Sequence, residues 1–111
     1  LYLRAKEKGE KLGKLLKELT KHKRVGDVRG MGFHWAIEYV KNKETKERIP
    51  SNLKFAMKVE EVAFKRGLYL CRASVDKTYI APPLVTEDED IEKIVEILDE
   101  SIDEVSRDTD I

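Results

Sequence analysis

Between Arg66 and Ile91 the sequence changes its periodicity twice and is stopped twice, which leaves few ways to fold it. Lys65 and Arg66 close a helical pattern ahead of Gly67, and cations in a last turn with glycine just beyond it form a normal helix ending. Two short β-type runs follow, Leu68–Cys71 and Thr78–Ala81, and Pro82-Pro83 denies the second any further ladder bonds. Thr86 then opens a long helix: Thr86 and Glu89 form a capping-box pattern, and Ile91, Ile94, Val95, Leu98, Ile102 and Val105 recur at helical spacing. The stretch therefore reads helix, strand, strand, helix. It leaves Arg72 at a strand tip before the loop Ala73–Asp76, where a planar, permanently charged donor suits a carboxylate. A surface arginine paired with Asp76 is the plain alternative.

The residues upstream repeat the scheme. Leu12, Leu15, Leu16 and Leu19, with Ala5 two turns earlier, make Leu1 to about His22 an amphipathic helix that Gly9 and Gly13 weaken. Val25–Arg29 alternates as a short strand, and Gly30 and Gly32 mark a turn or bulge. In the strand that follows, Phe33, Trp35, Ile37 and Tyr39 face the core, while His34, Ala36 and Glu38 face away. Asn42–Glu47 is turn-like. Ser51 N-caps a helix from about Asn52 to Arg66 that buries Phe55, Val59, Val62 and Ala63. The expectation is an α+β fold of order αββαββα, a small antiparallel sheet flanked by helices, with residues 1–111 as one domain and 106–111 as a frayed tail.

Charge narrows the function classes. The chain carries 22 bases and 22 acids, so it has no net field to draw nucleic acid or an anionic membrane. The balance is uneven, with a basic first helix and an acidic last one; a solvated face accounts for the lysines better than RNA does. No apolar run approaches the length of a membrane span, and Cys71 has no partner for an internal disulfide, so a cytoplasmic setting is expected. The dense mixture of Lys and Glu resembles the surface ion-pair networks of thermophile proteins.

The residues supply little independent chemistry. Gly30-Met31-Gly32 is too short for a dinucleotide fingerprint and reads as backbone geometry. His34 and Glu38 share a strand face but lack further ligands at metal spacing, and His22 is comfortable at a helix C-terminus. Cys71 has no base near it in sequence. Glu87, Asp88, Glu89 and Asp90 sit where a helix N-terminus favours carboxylates in any case. No catalytic residue and no metal site is expected; Arg72 is the side chain of interest.

Two stretches together resemble the C-terminal small domain of class III pyridoxal-phosphate aminotransferases, the fold-type-I group that includes the ω-aminotransferases. They are VGDVRGMGFHWAIEYVKNKETKERIP, Val25 to Pro50, and RGLYLCRASVDKTYIAPPLVTEDEDIEKIVEILDESIDEV, Arg66 to Val105, with APPLVTEDED at the heart of the second. The resemblance implies a parent enzyme several times this length, a homodimer that moves an amino group between an amine or ω-amino acid and a 2-oxo acid. It also implies that pyridoxal phosphate and its Schiff-base lysine belong to a large domain, so that this chain alone binds no cofactor and is inactive. In relatives acting on α-amino acids or on ornithine, an arginine stands three residues before the first proline of the pair; here that position is Tyr79, which speaks against ornithine-like substrates. In relatives of the amine:pyruvate type the arginine lies ten residues before that proline, the position of Arg72. The resemblance thus implies that Arg72 binds the substrate carboxylate; relatives that make a diamine in biotin synthesis carry an arginine nearby as well. A free-standing α+β binding or dimerisation module is the alternative from a different class.

Overall fold

A computed structural model of the chain describes residues 2–70, 74–81 and 87–109. Helix α1 spans Tyr2–Lys17 and tightens into a 3₁₀ turn at Glu18–Lys21; strands β1 (Val25–Met31) and β2 (His34–Tyr39) follow. Helix α2 covers Phe55–Lys65, strand β3 Lys77–Ile80, and helix α3 Asp88–Asp108. The strands form an antiparallel sheet in the order β1-β2-β3. The α+β architecture expected from the sequence is the one observed.

Register decides which side chains share a face. Val28, Ile37 and Thr78 align across the three strands, and Gly30, Trp35 and Ile80 form the next inward row. The opposite face carries the rows Asp27–Glu38–Lys77 and Arg29–Ala36–Tyr79. The alternation read in β2 holds: Ile37 and Tyr39 are buried and Trp35 half-buried, while His34 is exposed. Leu12, Leu16 and Leu19 from the first helical segment, Phe55, Val59 and Ala63 from α2, and Ile91, Leu98 and Ile102 from α3 complete one core, with α3 packed against both other helices.

Gly32 marks the turn expected of it, whereas Gly13 does more than weaken its helix. Gly32, at φ 58°, heads the two-residue turn that lets Met31 pair with His34, a conformation an L side chain rarely adopts. Gly13 is a close approach: a Cβ there would come within 2.2 Å of the Trp35 ring. The helix is seated by its glycine as much as weakened by it.

Four boundaries differ from expectation. Ser51 opens a 3₁₀ turn, Ser51–Leu53, and α2 starts only at Phe55, because Lys54 takes a left-handed conformation at φ 51° and resets the chain direction. Leu68–Leu70 forms no strand: the Leu68 N–H folds back onto the Ala63 carbonyl at 2.8 Å, Leu70 anchors in the core, and Tyr69 points out, which imitates strand alternation without a ladder. Cys71 lies outside the described residues. Glu87 takes the N-cap position of α3, so the helix starts at Asp88; Thr86, the expected cap, lies outside the described residues, as does the Pro82-Pro83 stop. At the other end α3 continues to Asp108 through the stretch expected to fray, and Thr109 is 8% exposed with its hydroxyl donating to the Val105 carbonyl at 2.7 Å.

Candidate functional site

The loop before β3, which follows Arg72 in the sequence, is described from Ser74 onward. Arg72 and Ala73 lie outside the described residues. Asp76, whose side chain is 14% exposed, is held at two points: its backbone carbonyl accepts from the Tyr39 N–H at 2.8 Å, extending the β2–β3 pairing, and its Oδ1 accepts from Lys77 Nζ at 3.2 Å. The bond to Asp76, ahead of its charge and that of Glu38, holds the Lys77 ammonium above the usual lysine range. Tyr79 is on the face away from the helices, in register with Ala36.

That outward face is a woven set of charges. Arg29 reaches Asp27 at 2.7 Å and Glu38 at 3.5 Å, and Lys77 reaches Glu38 at 3.6 Å, so one chain of ion pairs crosses all three strands. Contiguous with it is a cleft of about 450 Å³ that adds Lys43, Lys46 and Arg48 to Arg29, Asp27, Glu38 and Asp76. Mixed charge of this kind fixes strand register and repels apolar partners, but offers no single-sign pocket for an anion. A second, larger groove of about 730 Å³ runs between α1 and the β1–β2 turn, where Lys17 Nζ lies 5.8 Å from the Trp35 ring centre.

The other sequence candidates separate in space. His34 and Glu38 do share a face, yet among the described residues no three His, Cys, Asp or Glu side chains gather as a metal site would require. His22 is not merely resting at a helix end: its Nε2 donates to Asp99 Oδ1 at 2.6 Å, while Lys21 donates to Oδ2 at 3.1 Å. The first-turn acids Asp88, Glu89 and Asp90 are exposed at the start of α3 and form no paired acid and base. Part of the basic first helix faces acids on either side of that turn: Lys11 reaches Glu92 at 3.0 Å and Lys8 reaches Glu87 at 4.0 Å. The opposed charges of the two ends thus meet within the fold.

Sequence reasoning missed one surface. Met57, Phe64 and Tyr69 are 44%, 64% and 74% exposed, and they border a hollow of about 450 Å³ floored by Leu70. The signal was present in Met57 and Phe64, seven residues apart and therefore on one side of α2 opposite its buried face.

Comparison with known proteins agrees with this architecture. The sequence model of the family described as Aminotransferase class-III matches residues 1–102. The chain is 38% identical over 91 residues to the adenosylmethionine-8-amino-7-oxononanoate aminotransferase of Methanocaldococcus jannaschii, covering 82% of this chain and 20% of that protein. It is 36% identical over 95 residues to the putrescine–pyruvate aminotransferase of Pseudomonas aeruginosa, covering 86% of this chain and again 20% of the relative. Among solved structures, an (S)-enantioselective ω-transaminase from Thermomicrobium roseum superposes with a TM-score of 0.86 at 30% identity, over 92% of this chain and 22% of that one. The chain therefore spans only about a fifth of the length of the relatives it matches. Class III aminotransferases use pyridoxal phosphate. With nearly the whole sequence matched and the same arrangement of sheet and helices, the chain belongs to the class III aminotransferase family.

Proposed function

We propose that residues 1–111 form the C-terminal small domain of a pyridoxal-phosphate-dependent aminotransferase, a domain that recognises substrate while the cofactor and its lysine reside on a large domain. The observation that carries this reading is the asymmetry of coverage: nearly all of this chain corresponds to about a fifth of each relative. The donor set points the same way. A Schiff-base lysine needs a desolvated, positioned setting, and the buried polar residues among those described are Thr78, Ser101 and Thr109. The described residues thus do not fit the cofactor, and no step of its chemistry is assigned to them. When bound, the cofactor supplies the electron sink for amino-group transfer.

The part assigned to this chain is orientation. The guanidinium of Arg72 donates two parallel charge-assisted bonds to the carboxylate of an ω-amino acid or of a 2-oxo acid, and gives way when the substrate is a simple amine. The anchoring of Asp76 to Lys77 and to the Tyr39 N–H supports this, because it fixes the chain four residues beyond Arg72 in sequence. The parent is a homodimer in this reading, and the amine:pyruvate type of substrate pair fits a tyrosine at position 79.

A test separates this from a free-standing binding module. Incubation of the 111-residue chain with pyridoxal phosphate and trapping with borohydride should label its lysines diffusely and at low occupancy, while the enzyme completed by a large domain labels stoichiometrically at one lysine outside this chain. Stoichiometric labelling of one lysine within residues 1–111 would contradict the assignment, and an upstream reading frame with no large domain would favour the module.

A further inference from the structure

Two apolar surfaces of the chain carry opposite charge at their borders. The first is the strip on α2, where Met57 and Phe64 lie away from the buried Phe55, Val59 and Ala63, and Tyr69 joins them after the turn at Gly67. The exposed Phe64 and Tyr69 rings meet edge to face with centres 6.3 Å apart, beside the hollow over Leu70. Acids outnumber bases around them, Glu60 and Glu61 against Lys65. The second is the groove of about 730 Å³ between α1 and the β1–β2 turn, where Phe33, Trp35 and the exposed Met31 supply the apolar lining. Bases outnumber acids there, Lys6, Lys14 and Lys17 against Glu10. Lys8 and Lys11 are spent on α3, and Lys17 lies over the Trp35 ring, but Lys6 and Lys14 form no ion pair among the described residues.

We propose that these surfaces fit each other between two copies of this chain: the Phe64 and Tyr69 rings of one copy lie in the α1 groove of the next, with Glu60 and Glu61 against Lys6 and Lys14. The fit is reciprocal in shape as well as charge. Met31, which projects from the lip of the groove, enters the hollow beside the two rings, where a thioether makes favourable aromatic contacts. Pairing like with like is disfavoured on the same grounds. Strip against strip would bring Glu60 and Glu61 onto their own copies, and groove against groove would crowd the lysines, whereas complementary borders attract. The two surfaces share no residue, so one chain can use both at once, and contact between unlike patches either closes into a ring or continues as a filament. This association does not rest on the proposed function.

Sedimentation velocity on the 111-residue chain tests this. The unsubstituted chain should associate as its concentration rises, and raising salt from about 0.05 to about 0.5 M should weaken that association about tenfold, because the border charges are screened. The double variant Phe64→Ser, Tyr69→Ser removes the strip, and Lys6→Glu, Lys14→Glu spoils the groove; all four side chains are exposed. Each variant alone should stay monomeric, while an equimolar mixture should form one-to-one dimers, since one intact strip then meets one intact groove. Association that survives in either variant assigns the contact to like patches and overturns the proposal, and folded variants whose mixture stays monomeric overturn it as well. A readout on the unsubstituted chain decides the matter where a variant does not fold. Isotopically light and heavy copies are mixed and joined with a carbodiimide, and mixed-isotope peptides linking Glu60 or Glu61 to Lys6 or Lys14 are expected. A chain that stays monomeric at every concentration, or that associates without those links, overturns the proposal.

Discussion

Tyr39 shows how a single side chain ties the sheet to the core. It is buried, packs with its ring tilted 56° against Phe55 at 5.0 Å between centres, and shares a 2.5 Å hydrogen bond with the equally buried Thr78 hydroxyl. Burial pushes its phenol well above the usual tyrosine range, and the Thr78 bond opposes that only in part. The sign of the linkage follows: the unfolded phenol ionises near pH 10 while the folded one keeps its proton, so the stabilisation is full below about pH 10 and is lost as pH rises beyond it. Tyr39→Phe should cost about 1–3 kcal/mol at neutral pH, because Thr78 loses its buried partner, and should flatten the alkaline loss of stability. Denaturant titrations at pH 7 and above pH 10 check both; an unchanged alkaline slope would contradict the assignment. The burial of Tyr39 was legible from the β2 alternation, but its bond to Thr78, thirty-nine residues on, was not. Gly13 is the same lesson: a helix-weakening residue in one dimension, and the space for the Trp35 ring in three.

Elements with a sustained period were the ones the sequence revealed. The α3 pattern runs unbroken from Ile91 to Val105, and those apolar positions face the core. Where local chemistry competes with pattern, the reading fails. The left-handed Lys54 displaced the start of α2, the alternation of Leu68–Leu70 imitated a strand, and the polar Ser106–Asp108 hid a last turn that buried Thr109 completes. Pairings between distant elements were equally hidden. Arg66, read only as a helix-ending cation, bridges α2 to α3 through Glu100 at 2.7 Å and Glu104 at 2.8 Å. Asp99 does the same for the end of the first helical segment. Burial, the largest single influence on its carboxyl, pulls upward, but the bonds from His22 and Lys21 outweigh it and hold Asp99 below the ordinary carboxylate range. A depressed folded value means stability that is present above the unfolded value near pH 4 and is lost as pH falls further. Asp99→Asn should therefore lower stability near pH 7 by up to about 1 kcal/mol, since a third of the side chain is exposed and screened, and by almost nothing near pH 2. Thermal melts of both proteins at the two pH values decide it, and a deficit that persists at pH 2 would show that the loss is not electrostatic.

At the scale of the whole molecule, the zero net charge conceals an internal complementarity. Bases of the first helical segment meet acids of α3 at Lys8–Glu87, Lys11–Glu92 and Lys21–Asp99, which answers the uneven charge without nucleic acid. Among the described residues no helix is long and apolar enough to cross a membrane. Among the described residues the exposed surface includes a charged sheet face and the apolar strip of Met57, Phe64 and Tyr69. The proposed role of this chain, to recognise a carboxylate for a cofactor held elsewhere, is tested by kcat/KM for Arg72→Ala in an enzyme completed by a large domain. With the 2-oxo acid acceptor fixed at saturation, an ω-amino acid donor should lose about ten- to a hundredfold, the cost of roughly 1.5–3 kcal/mol of charged hydrogen bonding. An uncharged amine of similar length should change little, and Arg72→Lys should recover part of the loss, because a point charge keeps the attraction without the two-pronged fit. Equal losses for both donors would contradict the account and make Arg72 a structural residue.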